Sequence, residues 1–122
     1  MIDLKSTIAS SLKADDTLKS LISDRVYFLS VPEDPTFPCI TYREENNTPT
    51  LAPFNVEEPA AWVTFVIDIW SKGDTSTIAA AVDAVMRSLG LIRVFGGDLF
   101  EQDTKVFHKS MRFAGWQVAG GD

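Results

Sequence analysis

Residues Ala60 to Trp70 form the segment that most restricts the fold. Val63, Phe65, Ile67 and Ile69 alternate onto one side of an extended chain, and Trp62, Thr64, Val66, Asp68 and Trp70 onto the other. The first side is pure core. The second is half apolar and carries two large aromatics, more than a solvated strand face needs, so it calls for a cover or a neighbouring molecule. With helices covering the first side, the opposite side is left needing a partner.

The flanking segments supply those helices. Leu4, Ile8 and Leu12 recur at helical spacing, and Leu18, Leu21 and Ile22 continue the apolar supply after Ala14-Asp15-Asp16. This predicts a helix from Asp3 to about Lys13, with Asp3 as its cap, and a short second helix capped by Asp15 or Asp16. Pro32, Pro35 and Pro38 hold the next stretch extended, because proline fixes its own φ and biases its predecessor away from helix. A strand is expected from Pro38 to Glu45. Asn46 to Pro59, with prolines at 49, 53 and 59, reads as a long loop, the kind that is commonly functional. Asp74 or Thr75 caps a helix through Leu89 whose stripe is Ile78, Val82, Val85, Met86 and Leu89, and Gly90 ends it. Leu91 to Gln102 is a strand interrupted by Gly96-Gly97, and Lys105 to Gln117 is the last strand. On that strand Phe107, Lys109, Met111 and Phe113 share one face, and His108, Ser110, Arg112 and Trp116 the other.

The expected architecture is a two-layer α+β domain: an antiparallel sheet of about four strands with two helices on one face. Residues 1–118 make one domain and 119–122 a loose tail. A chain of 122 residues buries roughly 65% of its unfolded surface, enough for a core without staples. No apolar run approaches a membrane span, and the first residues predict no secretory leader. Cys39 is the one cysteine, which excludes an intrachain disulfide and suits a reducing cytoplasm. A net charge of −6 argues against free DNA binding, which needs a basic patch.

Candidate chemistry is sparse. His108 and Cys39 lack an orienting third group. Glu44-Glu45, Glu57-Glu58 and Asp15-Asp16 are adjacent pairs, and neighbours on a strand point to opposite faces. Gly96-Gly97 lacks phosphate-loop spacing and opens no helix, so a bulge or tight turn is expected. One His and one Cys make no metal set. With few basic residues around them, Trp62, Trp70 and Trp116 fit protein packing better than base stacking. No catalytic, cofactor or metal residues are therefore assigned, and no enzyme activity is expected.

An ordered set of segments does carry a resemblance. It comprises the leading helix with its Ala-Asp-Asp break, Asp24-Arg25-Val26-Tyr27, Val31-Pro32, and Phe37-Pro38-Cys39-Ile40-Thr41-Tyr42. Phe65-Val66-Ile67-Asp68-Ile69-Trp70-Ser71, the capped helix and Met111-Arg112-Phe113 complete it. Over about residues 3 to 117 the chain resembles the tail terminator, or tail completion, proteins of long-tailed phages and prophages. The resemblance implies a virion structural protein at the tail–neck junction, assembled in the host bacterial cytoplasm as a ring, with a hexamer expected. Such a ring caps the tail tube, stops its elongation and docks the head connector, while DNA passes through the lumen without specific binding. The partners implied are a second copy, the tube protein and the connector, with no membrane. The expected subunit interface is Trp62, Thr64, Val66, Asp68 and Trp70 with Lys109 or Arg112. The expected tube-docking loop contains Asn46, Asn47, Thr48, Leu51, Phe54, Val56, Glu57 and Glu58. The alternatives are a head-completion protein of the same particle and a small cellular ligand-binding or regulatory α+β domain.

Overall fold

Asp15 divides the opening segment in two. Its carboxylate accepts from Leu18 N at 3.0 Å, starting α2 (Asp16–Ile22) immediately after α1 (Lys5–Ala14). At the other end of α1, Leu4 takes the cap position and Asp3 Oδ1 instead accepts from Lys5 N at 3.0 Å. Ile8 and Leu12 from α1, and Leu18 and Ile22 from α2, are fully buried. Each such side chain contributes about 1.5–3 kcal/mol on leaving water. The computed structural model describes residues 1–50 and 60–118. The expected tail at 119–122 lies outside them.

The chain then makes β1 (Val26–Phe28), β2 (Cys39–Pro49), β3 (Ala60–Ser71), α3 (Ser76–Ser88), β4 (Ile92–Glu101) and β5 (Val106–Val118). The strands form one five-stranded sheet in the order β1-β2-β3-β5-β4. β1 lies parallel to β2 and every other pairing is antiparallel. The α+β architecture is as expected, with the short second helix present as α2 and five strands in place of about four. The extra strand is β1, too short for a periodic signal and held by its neighbour: Ile40 N donates to Arg25 O, and Arg25 Nε donates to Pro38 O, both at 2.9 Å.

The core lies between the helices and one face of the sheet. Val63, Phe65, Ile67 and Ile69 of β3 are all fully buried there, with Ile40, Met111 and Phe113 from the flanking strands. α3 contributes Ile78, Val82, Val85 and Met86. It stops through Gly90 at φ +83°: Gly90 N donates to Arg87 O and Leu91 N to Met86 O, both at 3.0 Å. Those two bonds satisfy carbonyls that the helix end leaves free.

Two expectations on the strands need correction. Asn46, Asn47 and Thr48 are not loop but part of β2, opposite Thr64, Val63 and Trp62 of β3. A bulge between Glu44 and Asn46 lets the ladder continue, and Thr50 N closes it on Ala60 O at 2.9 Å. Gly96 and Gly97 do not interrupt β4. They pair regularly with Met111 and Ser110, and the irregularity falls one step earlier, between Arg93 and Phe95.

Among the described residues the tightest glycine is Gly115 on β5, opposite Val63. A Cβ there would run into the carbonyl oxygen of Gly90, backbone that cannot swing aside. Gly115→Ala is therefore expected to lower unfolding free energy by about 1–3 kcal/mol in a denaturant titration. Gly73→Ala, where the added carbon meets nothing within 4 Å, should change it by no more than about 1 kcal/mol.

Candidate assembly surface

The helix-free face of the sheet is read most directly as rows of side chains running across the strands, since residues paired in register share a face. One row holds Cys39, Trp70, His108 and Leu99. The next holds Thr41, Asp68, Ser110 and Gly97, followed by Arg43, Val66, Arg112 and Phe95. Then come Asn46, Thr64, Ala114 and Ile92, and finally Thr48, Trp62 and Trp116.

The first two rows are knitted together. The Trp70 indole stacks on His108 with centroids 3.9 Å apart and 14° between planes. Its Nε1 donates to Thr41 Oγ1 at 3.0 Å, and His108 Nε2 lies 2.8 Å from Asp68 Oδ1. Trp70 thus spends its N–H on Thr41, and His108 and Asp68 bond each other, all within this face. The strand β3 stands between Cys39 and His108, so the thiol and the imidazole form no pair. Burial pushes the Cys39 thiol up, opposed in part by Arg25.

The middle rows are bridged from the flanks. Arg112 on β5 holds Glu45 on β2 with both forks, Nε to Oε1 at 2.6 Å and Nη2 to Oε2 at 3.1 Å. β3 lies between those strands, so the pair crosses above it. Val66 and Thr64 are 2% and 7% exposed. At their partial exposure the two ions stabilise by about 0–1 kcal/mol; covering an apolar strand is the larger effect. The Arg112 guanidinium also sits 5.4 Å from the Phe95 ring centroid.

The expected interface is therefore only partly an open surface. Val66 and Thr64 are covered by the chain's own side chains, and Asp68 and Trp70 are engaged within it. Lys109 is not on this face at all: opposite Ile69, it projects on the helix side and reaches Asp98 at 3.3 Å. Trp62 packs edge-on against Trp116 at 5.3 Å, and Trp116 remains 58% exposed. In the expected docking loop, Asn46 Nδ2 donates to Trp62 O at 3.2 Å and Asn47 Nδ2 to Ile2 O at 2.7 Å, while Thr48 Oγ1 bonds Asn46 Oδ1 at 3.1 Å. Asn46 and Thr48 thus serve the β2–β3 pair, and Asn47 ties β2 to the N-terminal segment. Leu51, Phe54, Val56, Glu57 and Glu58 lie outside the described residues.

What sequence reasoning missed is the outermost, exposed position of β4. Ile92, Val94, Phe95, Leu99 and Phe100 are all exposed, Leu99 by 60%. The available signal was a strand apolar on both faces, without alternation. A groove of about 590 Å³ opens beside Trp70 between Phe37 and Val106, and Lys72 closes one side by donating to Thr104 O at 2.6 Å. Lys72 and Glu101 are the ionisable groups on it, which is no acid–base constellation. Among the described residues no cluster of His, Cys, Asp and Glu has the makings of a metal site.

Residues 6–117 match the family model described as "Tail completion protein gp17". Among solved structures, a chain from the "Virion of native gene transfer agent (GTA) particle" is similar with a TM-score of 0.70 and 19% identity. The match covers 93% of this chain and 92% of that one. At such identity the likeness is one of fold. Among curated proteins, none matches.

Two outcomes follow from the geometry. Trp70→Ala should cost about 2–4 kcal/mol of folding stability, since it removes a stacked, hydrogen-bonded ring. Trp116→Ala, mostly exposed, should cost about 1 kcal/mol; equal losses in thermal or denaturant unfolding would contradict the difference in their surroundings. Cys39 should resist alkylation at mildly alkaline pH in the folded protein and react once denaturant is added, because raising the thiol's pKa depletes the thiolate.

Proposed function

Because this chain belongs to the tail completion protein gp17 family, a family of phage structural proteins, we propose that it is a ring-forming tail terminator subunit. The ring, expected to be a hexamer, caps the tail tube, stops its elongation and joins the tail to the head connector. The observation that carries this reading is the family match across residues 6–117. A cellular ligand-binding domain is set aside on the same ground.

Three features support the finer role. The Trp62–Trp116 corner leaves an aromatic surface available to a neighbour, and exposed aromatics of this kind are enriched at protein interfaces. Arg112 stands nearby on the same face. The net charge of −6 suits a lumen through which a polyanion must slide without sticking. The role involves no catalysis, cofactor or membrane, and its place is the tail–neck junction of a virion built in the bacterial cytoplasm.

Electron microscopy of particles made without this chain tests the assignment. Overlong tails, or tails of normal width unjoined to heads, are the expected products. Filled heads that leak their DNA while tails keep normal length would transfer the protein to head completion instead.

A further inference from the structure

β4 is the outermost strand, with β5 its one neighbour in the sheet. It is 10 residues long, and no described strand meets its outward N–H and C=O groups. Such edges are a template for another chain, and proteins usually blunt them with lysine, proline or a covering segment. β4 contains neither lysine nor proline. Arg93 and Asp98 lie on its helix-side face and pair within the chain, Arg93 with Asp83 at 3.2 Å and Asp98 with Lys109 at 3.3 Å. Ile92, Val94, Phe95, Leu99 and Phe100 stand exposed along it.

The same sheet has a second free edge. β1 covers β2 only from Ile40 to Tyr42, so among the described residues nothing pairs with Arg43 to Pro49 on that side. Directions along the sheet alternate from β2 through β3 and β5 to β4, which therefore runs antiparallel to β2. A copy rotated about an axis lying along the strands, without inversion, sets its own β2 beside β4 in the antiparallel sense. The geometry points to strand addition between copies: β4 of one subunit pairs with the Arg43–Pro49 edge of β2 in the next, continuing the sheet from subunit to subunit. This rests on the ring reading above and supplies its interface. The contact is heterologous, so it closes a ring when the rotation divides the circle. Backbone hydrogen bonds make the join, as in other cases of strand addition, while Ile92 and Phe95 come to lie along the row that carries Asn46 and Arg43.

The test is disulfide trapping in a Cys39→Ser background. Phe95→Cys is combined in turn with Arg43→Cys, Asn46→Cys and Thr48→Cys, all on the helix-free face. Oxidation is carried out on purified protein over a concentration series and on assembled tails. The expected result is a ladder of covalent multimers extending past the dimer for at least one pairing. Leu99→Lys, at an exposed position, should keep the thermal melt and raise the concentration for half-assembly by about tenfold or more. A product that stops at the dimer and forms with Phe95→Cys alone would mean two β4 strands pair about a two-fold axis, and overturns the proposal. Monomer bands alone in both preparations, or rings that never cross-link, overturn it too. In that last case normal tail capping would leave the terminator role standing.

Discussion

The structure depends on the two-sided register of β3. It is paired along its whole length with β5 and along nearly all of it with β2. A one-residue slip on either side would turn Phe65 and Ile67 from the core to the open face and bring Asp68 into the core. The β2 bulge accommodates this demand. It inserts Glu45 as an unpaired residue between Glu44 and Asn46, and an inserted residue is free to be re-aimed. Glu45 then reaches over β3 to Arg112. One local irregularity thus keeps β2 in phase with the core and supplies the anion that covers Val66.

Much of this was legible in the sequence because the signals were long and periodic. The alternation of β3, the stripe of α3, the stop at Gly90 and the two faces of β5 all follow from spacing that packing then reinforces. The Asp15 break was legible because a capping carboxylate acts locally. The losses fell where tertiary pairing overrode composition. Asn46 to Pro49 carry residues that strands disfavour, yet β3 stands beside them and the asparagine amides bond strand and N-terminal carbonyls. β1 exists because Arg25 and Ile40 tie it to β2, a contact that no short apolar segment announces.

The assembly surface was less legible for a related reason. Tryptophans on an apolar strand face are a sound signal of a need for cover, and the sequence does not say who provides it. Here Thr41 and Glu45 of β2 and His108 and Arg112 of β5 do much of that work from the two strands that flank β3, through partnerships that only the register creates. β4 posed the opposite problem. Its mixed apolar pattern resembles a strand buried on both faces. Its position at the edge follows from β5 returning between it and β3, a choice of topology with no residue-level mark.

An uncapped apolar edge on an acidic chain sets two ranges of force against each other. The charge of −6 repels other copies over a screening length of about 8 Å at physiological salt. Backbone pairing acts only when strands stand about 4.8 Å apart. Random encounters between copies meet the repulsion first, which limits adventitious pairing along β4. A copy held in position, as the proposed ring would hold it, has already met the cost of approach, and backbone pairing can then form. For a chain that assembles as proposed, the acidic surface and the bare edge are complementary: one disfavours chance pairing at low concentration, and the other joins copies once they are aligned.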